Sequence, residues 1–219
     1  MSALAPYRDR LAAGLSALGL ALPAHTQDRL LAFGELLLKW NTVYNLTAIR
    51  TPQEVVTHHL LDSLAVLPYL EGIGRLADIG SGGGLPGIAL AIARADLHVV
   101  SVEAVNKKAA FQQQAKIELG LDNFRPENAR VEKLAPAPPF AAVISRAFAD
   151  LARFVELAGA LLAPDGRMMA MKGVYPEDEI ARLPAGWRVD RVVPLAVPGL
   201  QAARHLIILK RDGMEHKGD

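Results

Sequence analysis

The sequence predicts an α/β fold of Rossmann-like type, a mainly parallel sheet with a C-terminal antiparallel hairpin and an N-terminal helical extension. Three observations predict it. From Arg75 onward, short apolar runs alternate with helical stretches, the pattern of a parallel sheet covered on both faces. The last two runs are joined only by a short connection containing Pro198-Gly199, which favours an antiparallel pair over a crossover. Ahead of Arg75, the apolar periodicity is helical.

The elements follow in chain order. Between His25 and Tyr44, Leu30, Phe33, Leu37 and Trp40 recur at helical spacing, and Thr26 is a candidate N-cap. A further helix is expected after Thr51-Pro52, so residues 1–72 form the helical extension. Residues 73–211 then form the sheet domain. Its apolar runs are Leu76–Ile79, Leu97–Val102, Phe140–Ile144, Arg167–Met171, Val189–Val193 and His205–Leu209. The clearest helical face is Leu151, Phe154, Val155, Ala158, Leu161 and Leu162. Ala135-Pro136-Ala137-Pro138-Pro139 reads as a rigid connector, and the residues after Arg211, 212–219, as a disordered tail.

Composition excludes several kinds of chemistry. Hydrophobic residues make up 51% and charged residues 21% of the 219, which is globular composition. With no cysteine there is no disulfide, zinc–thiolate site or thiol nucleophile, and the chain suits a reducing cytoplasm. The start, with charges at Arg8, Asp9 and Arg10, does not read as a signal peptide. The charge-free apolar stretch Ile79 to Ala93 is broken by five glycines and a proline, so no membrane association is expected. Net charge is only +1, so any nucleic-acid binding must rest on a local basic face.

Asp78-Ile79-Gly80-Ser81-Gly82-Gly83-Gly84-Leu85-Pro86-Gly87 stands where the first strand meets its helix. Gly80, Gly82 and Gly84 allow a tight turn and close approach of a ligand to the backbone. Glu103 lies 23 residues after Gly80, at the end of the second strand, where a carboxylate can accept from both hydroxyls of a ribose. Both S-adenosyl-L-methionine and NAD carry such a ribose. Asp78, two residues before the first glycine, favours adenosylmethionine, because dinucleotide turns usually place an apolar residue there. A parallel sheet ending in a hairpin is also the methyltransferase variant of the Rossmann fold.

Five separated blocks carry a closer likeness: Lys39-Trp40-Asn41 with Tyr44-Asn45-Leu46-Thr47; His59-Leu60-Leu61-Asp62-Ser63; Asp78 to Gly87; Ile144-Ser145-Arg146-Ala147-Phe148; and Arg204-His205-Leu206. In these, over roughly residues 36–210, the chain resembles the rRNA small-subunit methyltransferase G family, also called glucose-inhibited division protein B. The resemblance implies a seven-stranded class I methyltransferase fold, adenosylmethionine as cofactor and no metal. It implies methylation of N7 of guanine 527, in the 530 loop of 16S rRNA, with the 30S ribosomal subunit as partner and no obligate protein partner. The family's cofactor contacts match Gly80, Leu85, Val131, Glu132 and Arg146 here, with Val131-Glu132 in the loop that usually holds the adenine. Two positions depart from the family pattern: Phe111-Gln112 stands where Phe-Leu is usual, and Ala203 where a polar residue is frequent.

Guanine N7 carries a free lone pair and no proton, so attack on a sulfonium methyl requires alignment and exclusion of water but no general base. The candidate catalytic residues are therefore cations near the strand ends: Arg146, Lys172 and Arg204. Each has a hydrogen-bonding use, on the cofactor carboxylate, guanine O6 or a phosphate. Lys107 and Lys108 are either backbone contacts or a solvated face. His59 and Asp62, with Asn45, either close over the pocket or form a histidine–carboxylate pair bracing the helices; with His58 they fall short of a metal site. Trp40 and Tyr44 read as core rather than as base-stacking platforms. Methylation of another RNA, a protein or a small molecule would use the same turn and Glu103. A non-catalytic RNA-binding assembly factor would bind ribosomal subunits without regard to adenosylmethionine.

Overall fold

The computed structural model describes residues 2–135, 138–146, 148 and 150–213. Seven strands, β1 (Arg75–Ile79), β2 (His98–Val102), β3 (Phe124–Glu127), β4 (Phe140–Ser145), β5 (Leu162–Lys172), β6 (Trp187–Pro194) and β7 (His205–Arg211), form one sheet in the order β3-β2-β1-β4-β5-β7-β6. The pairings divide cleanly: β1–β2, β1–β4, β2–β3 and β4–β5 are parallel, while β7 runs antiparallel to both β5 and β6. The chain moves outward from β1 through β2 to β3, then returns to the other side of β1 with β4. This makes the carboxyl ends of β1 and β4 the crevice where ligands of open α/β sheets bind.

Helices α1 (Arg8–Ala17), α2 (Ala24–Tyr44), α3 (Pro52–Glu54) and α4 (Asp62–Leu64) precede the sheet, with a π-helical segment, Val55–Leu61, joining α3 to α4. Helices α5 (Gly87–Ala93), α6 (Asn106–Leu119), α7 (Leu151–Ala158) and α8 (Glu177–Ala181) lie among the strands. One apolar core runs without a break from Leu4 through the N-terminal helices to Leu76, Val99 and Ile208, and a second, around Phe140 and Phe154, fills the other face. Glycines let the helices approach closely. A Cβ on Gly34 would stand 2.6 Å from Leu4 Cδ2, and one on Gly14 2.4 Å from Leu61 Cδ1.

Several local expectations change. Pro23 is the N-cap of α2; its carbonyl accepts from Thr26 and Gln27, so Thr26 lies inside the first turn, buried, and caps nothing. β3 is Phe124-Arg125-Pro126-Glu127, too polar to stand among the six apolar runs; as an edge strand paired only with β2 it tolerates polar residues. Helix α7 stops at Ala158, Leu161 belongs to a 3₁₀ turn and Leu162 opens β5, so the expected helical face spans three elements. Tyr44 is 40% exposed, stacked on Trp40, rather than core. Pro136 and Ala137 of the expected connector, and 214–219 of the expected tail, lie outside the described residues.

Candidate active site

The turn after β1 is built from backbone bonds that only glycine geometry allows. Gly80, Gly82 and Gly84 have φ of 67°, 57° and 79°, in the left-handed region. Gly80 N–H donates to Val102 O of β2 (2.9 Å), while Gly84 and Leu85 N–H both donate to Ser81 O (2.9 Å each). Asp78 sits beneath this turn, fully buried; its Oδ2 accepts from Gly87 N–H at 2.8 Å, and Oδ1 has no partner among the described residues. Burial pushes the Asp78 carboxyl up to about 7, against the downward pull of the Gly87 hydrogen bond. A Cβ on Gly87 would stand 2.7 Å from Asp78 Oδ2, so the approach of helix to carboxylate depends on that glycine.

Glu103, 7% exposed, faces the turn from the end of β2. Its Oε2 accepts from Gly82 N–H and its Oε1 from Val105 N–H, both at 2.8 Å. Since an ionised carboxylate offers about four lone-pair sites, two donors leave capacity for hydroxyls of a ligand. A Cβ on Gly82 would meet nothing within 4 Å, so the turn leaves open space at the position where close approach is needed. Leu85 is buried at the start of α5, and Val131 and Glu132 form a single turn after β3 with Val131 inward and Glu132 exposed. These features fit adenosylmethionine: open backbone over Gly82, a carboxylate with spare acceptors, and an apolar residue at each end.

Sequence reasoning missed the polar bracket behind the turn. Gln112 is fully buried in α6 and donates through Nε2 to both Ser81 Oγ and Gly82 O, at 2.8 Å each; Ser101 Oγ donates to Ser81 Oγ at 2.6 Å. Gln112, one of the positions expected to depart from the family pattern, thus supports the cofactor turn in this chain. The signal was a lone glutamine on an otherwise apolar helix face, with Phe111 packed on Trp40 and Phe33 beside it.

Beside the turn, a cavity of about 350 Å³ opens between the N-terminal helices and the carboxyl ends of β4 and β5. Asp62, Arg146, Lys172, Arg204, His58 and His59 border it. The three expected cations come from the ends of β4 and β5 and from just before β7, and the fold brings them together. In the register of β1 and β4, Asp78 lies opposite Ile144, which sets Arg146 next to the glycine turn. Arg146 Nη1 donates to Asp62 Oδ2 (3.2 Å) and His58 O (3.1 Å); Arg204 Nε donates to Asp62 Oδ1 (3.0 Å). Lys172 Nζ bonds Glu179 of α8 at 2.6 Å and Phe148 O at 3.0 Å.

The expected His59–Asp62 pair does not form, because the two arginines occupy both oxygens of Asp62. His59 instead meets Thr47 Oγ1 through Nε2 (2.9 Å) and His58 O through Nδ1 (3.1 Å); a carbonyl only accepts, so Nδ1 carries the proton. Burial, reinforced by the Arg146 charge, lowers the His59 pKa to about 3. Asn45 is the left-handed C-cap of α2 and accepts from Arg50, outside the cavity lining. Lys107 and Lys108 open α6 on the surface, also away from it.

Comparison with known proteins agrees with this geometry. Residues 26–207 match the family model described as rRNA small subunit methyltransferase G. The ribosomal RNA small subunit methyltransferase G of Azoarcus sp. (strain BH72) is 69% identical over 211 residues, covering 96% of this chain and 100% of the relative. That of Aromatoleum aromaticum is 66% identical over 203 residues, covering 91% and 96%. Among solved structures, the O-methyltransferase TomG of Streptomyces achromogenes, in complex with SAM, covers 94% of this chain and 99% of its own with a TM-score of 0.60. At 16% identity that likeness carries the fold alone, which is the class I methyltransferase fold.

Proposed function

The chain belongs to the rRNA small subunit methyltransferase G family, and on that premise we propose that it methylates N7 of guanine 527 in 16S rRNA with adenosylmethionine. The observation that carries this reading is the meeting, at the carboxyl ends of the central parallel strands, of the Glu103-braced glycine turn with the cavity bordered by Arg146, Lys172 and Arg204. Adenosylmethionine, when bound, supplies an electrophilic methyl on a sulfonium.

The residues divide the work by position. Glu103 accepts from the ribose, Gly80, Gly82, Gly84 and Leu85 form the cradle with Asp78 fixing it from below, and Val131-Glu132 flank the adenine. Arg146 stands between turn and cavity, where its fork is in reach of the cofactor carboxylate, guanine O6 or a phosphate. Lys172 and Arg204 serve the RNA side. No side chain need remove a proton, because N7 has none; the protein's contribution is alignment, exclusion of water and hydrogen bonds to the base.

The 30S subunit is the proposed partner, with no obligate protein partner, and the cytoplasm the proposed compartment. No described helix is long and apolar enough to cross a membrane. The test is transfer of labelled methyl from adenosylmethionine to 30S subunits lacking the modification, mapped by cleavage at N7-methylguanine. Label at guanine 527, lost in a folded Arg146→Ala variant, supports the reading. Cofactor binding without label in 30S subunits or protein-free rRNA overturns the substrate.

A further inference from the structure

Asp62 stands where the N-terminal helices meet the strand ends of the sheet, beside the end of β4 and the start of β7, and it is 2% exposed. Each of its oxygens takes a different arginine, Oδ2 that of Arg146 at 3.2 Å and Oδ1 that of Arg204 at 3.0 Å. These partners come from separate parts of the sheet domain, one at the end of β4 and one just ahead of β7. A carboxylate withdrawn this far from water is costly unless its charge is matched and its lone pairs are used, and the two arginines do both. Further bonds fix their planes: Arg146 Nη1 to His58 O at 3.1 Å, and Arg204 Nη1 to Ala203 O at 3.0 Å.

The charge count around Asp62 is uneven. One carboxylate faces two guanidiniums, while the nearby Lys172 has Glu179 at 2.6 Å. Asp78, the next carboxyl that feels the Arg146 charge, is raised to about 7 by burial and so offsets it only in part, which leaves net positive charge on a pair of forks that border the cavity, each arginine side chain 24% exposed. Each guanidinium has five N–H donors, and the bonds to Asp62 and the two carbonyls use only part of them. Two forks with net positive charge match a phosphodiester, a monoanion with two oxygens that accept bidentate hydrogen bonds. A neutral base edge would leave that charge unmatched.

We propose that Asp62 is a positioning residue: it holds Arg146 and Arg204 as a paired cup for one phosphodiester of the rRNA strand beside the target nucleotide. The proposal rests on the rRNA reading above. It gives the N-terminal extension a part in substrate recognition, since Asp62 acts through two arginines that belong to the sheet domain.

The experiment measures binding to unmodified 30S subunits over a range of salt, with thermal melting as the control for folding. Asp62→Asn keeps the side-chain volume but removes the charge and leaves a single acceptor oxygen for two forks, so at least one is released, and affinity is expected to fall about tenfold. The slope of log affinity against log salt should lose about 0.7 to 0.9, the share of one phosphate contact. A brace that only holds the fold together would lower the melting temperature and leave this slope unchanged, and that result overturns the proposal. Arg204→Lys makes the same test should Asp62→Asn not fold. Lysine keeps the charge but cannot hold Asp62 with one nitrogen while offering a fork with others. Wild-type affinity and slope in Arg204→Lys would refute positioning, and a loss of both supports it. Wild-type protein that methylates no small-subunit rRNA would overturn the functional reading itself, which is a separate outcome.

Discussion

His59 is buried among polar partners that suit only its neutral form. Its Nδ1–H donates to His58 O, its Nε2 meets Thr47 Oγ1, and Arg146 is close enough to repel a second charge. In the unfolded chain His59 takes a proton as pH falls through 6.5; in the folded protein it does so only at about 3. The unfolded state therefore binds the extra proton over that interval, and the stability His59 contributes above pH 6.5 is lost as pH falls toward 3. Thermal melting of wild type and His59→Gln should show a gap near pH 7.5 that narrows steadily toward pH 4.5. A gap of constant width would mean that His59 does not carry this linkage. The residue was legible from the sequence only as one of a pair with Asp62. Three-residue spacing places two side chains on one side of a helix, but it cannot show that Arg146 and Arg204 reach the carboxylate from 84 and 142 residues away. Gln112 is a similar case: the sequence marked it as a departure, and its use became visible only with Ser81 and Gly82 beside it.

Glycines of the turn after β1 do different work, and their substitution should separate binding from folding. At Gly82, φ is 57° and a Cβ would meet nothing within 4 Å; Gly82→Ala should lower stability by about 1–2 kcal/mol through backbone strain alone. The same methyl occupies the space left for the cofactor, so adenosylmethionine affinity measured by calorimetry should fall by about tenfold or more. At Gly84, a Cβ would stand 2.3 Å from Ile88 Cδ1 and 3.4 Å from Gln112 Cγ. Gly84→Ala should therefore lose more stability than Gly82→Ala, through displacement of Ile88. If the two variants lose stability and affinity in the same proportion, the open side of the turn is not the binding side. Elements of this kind were readable because their chemistry is local: the glycine run, the acid after β2 and the short connection before β7 each imply a geometry. What the sequence did not reveal depended on neighbours. Edge strand β3 needs no apolar run because one of its sides has no partner strand, and Pro23 displaced Thr26 as the cap by supplying its carbonyl to the first turn.

Over the whole molecule, net charge of +1 says little about RNA, whereas the fold gathers Arg146, Lys172 and Arg204 at one cavity from three strand ends. The same region bears on how the protein unfolds. Residues 1–72 and 73–211 read as an extension and a domain in sequence, yet one apolar core includes Leu4, Leu37 and Leu61 with Leu76, Ile88 and Ile208. A Cβ on Gly83 would stand 3.0 Å from Leu37 Cδ1, so α2 lies directly against the cofactor turn, and Asp62 ties α4 to the ends of β4 and β7. Separating the two parts would expose this shared core and strip Asp62 of both its arginines, which opposes independent unfolding of either part. Calorimetry should then show one transition, with calorimetric and van't Hoff enthalpies equal. Adenosylmethionine at about 100 times its Kd should raise that transition as a unit, by the equivalent of about 2.7 kcal/mol at 25 °C. Two transitions, with only the later one moved by cofactor, would mean that the N-terminal helices form a separate unit. Asp62 would then hold its arginines only while that unit stays docked.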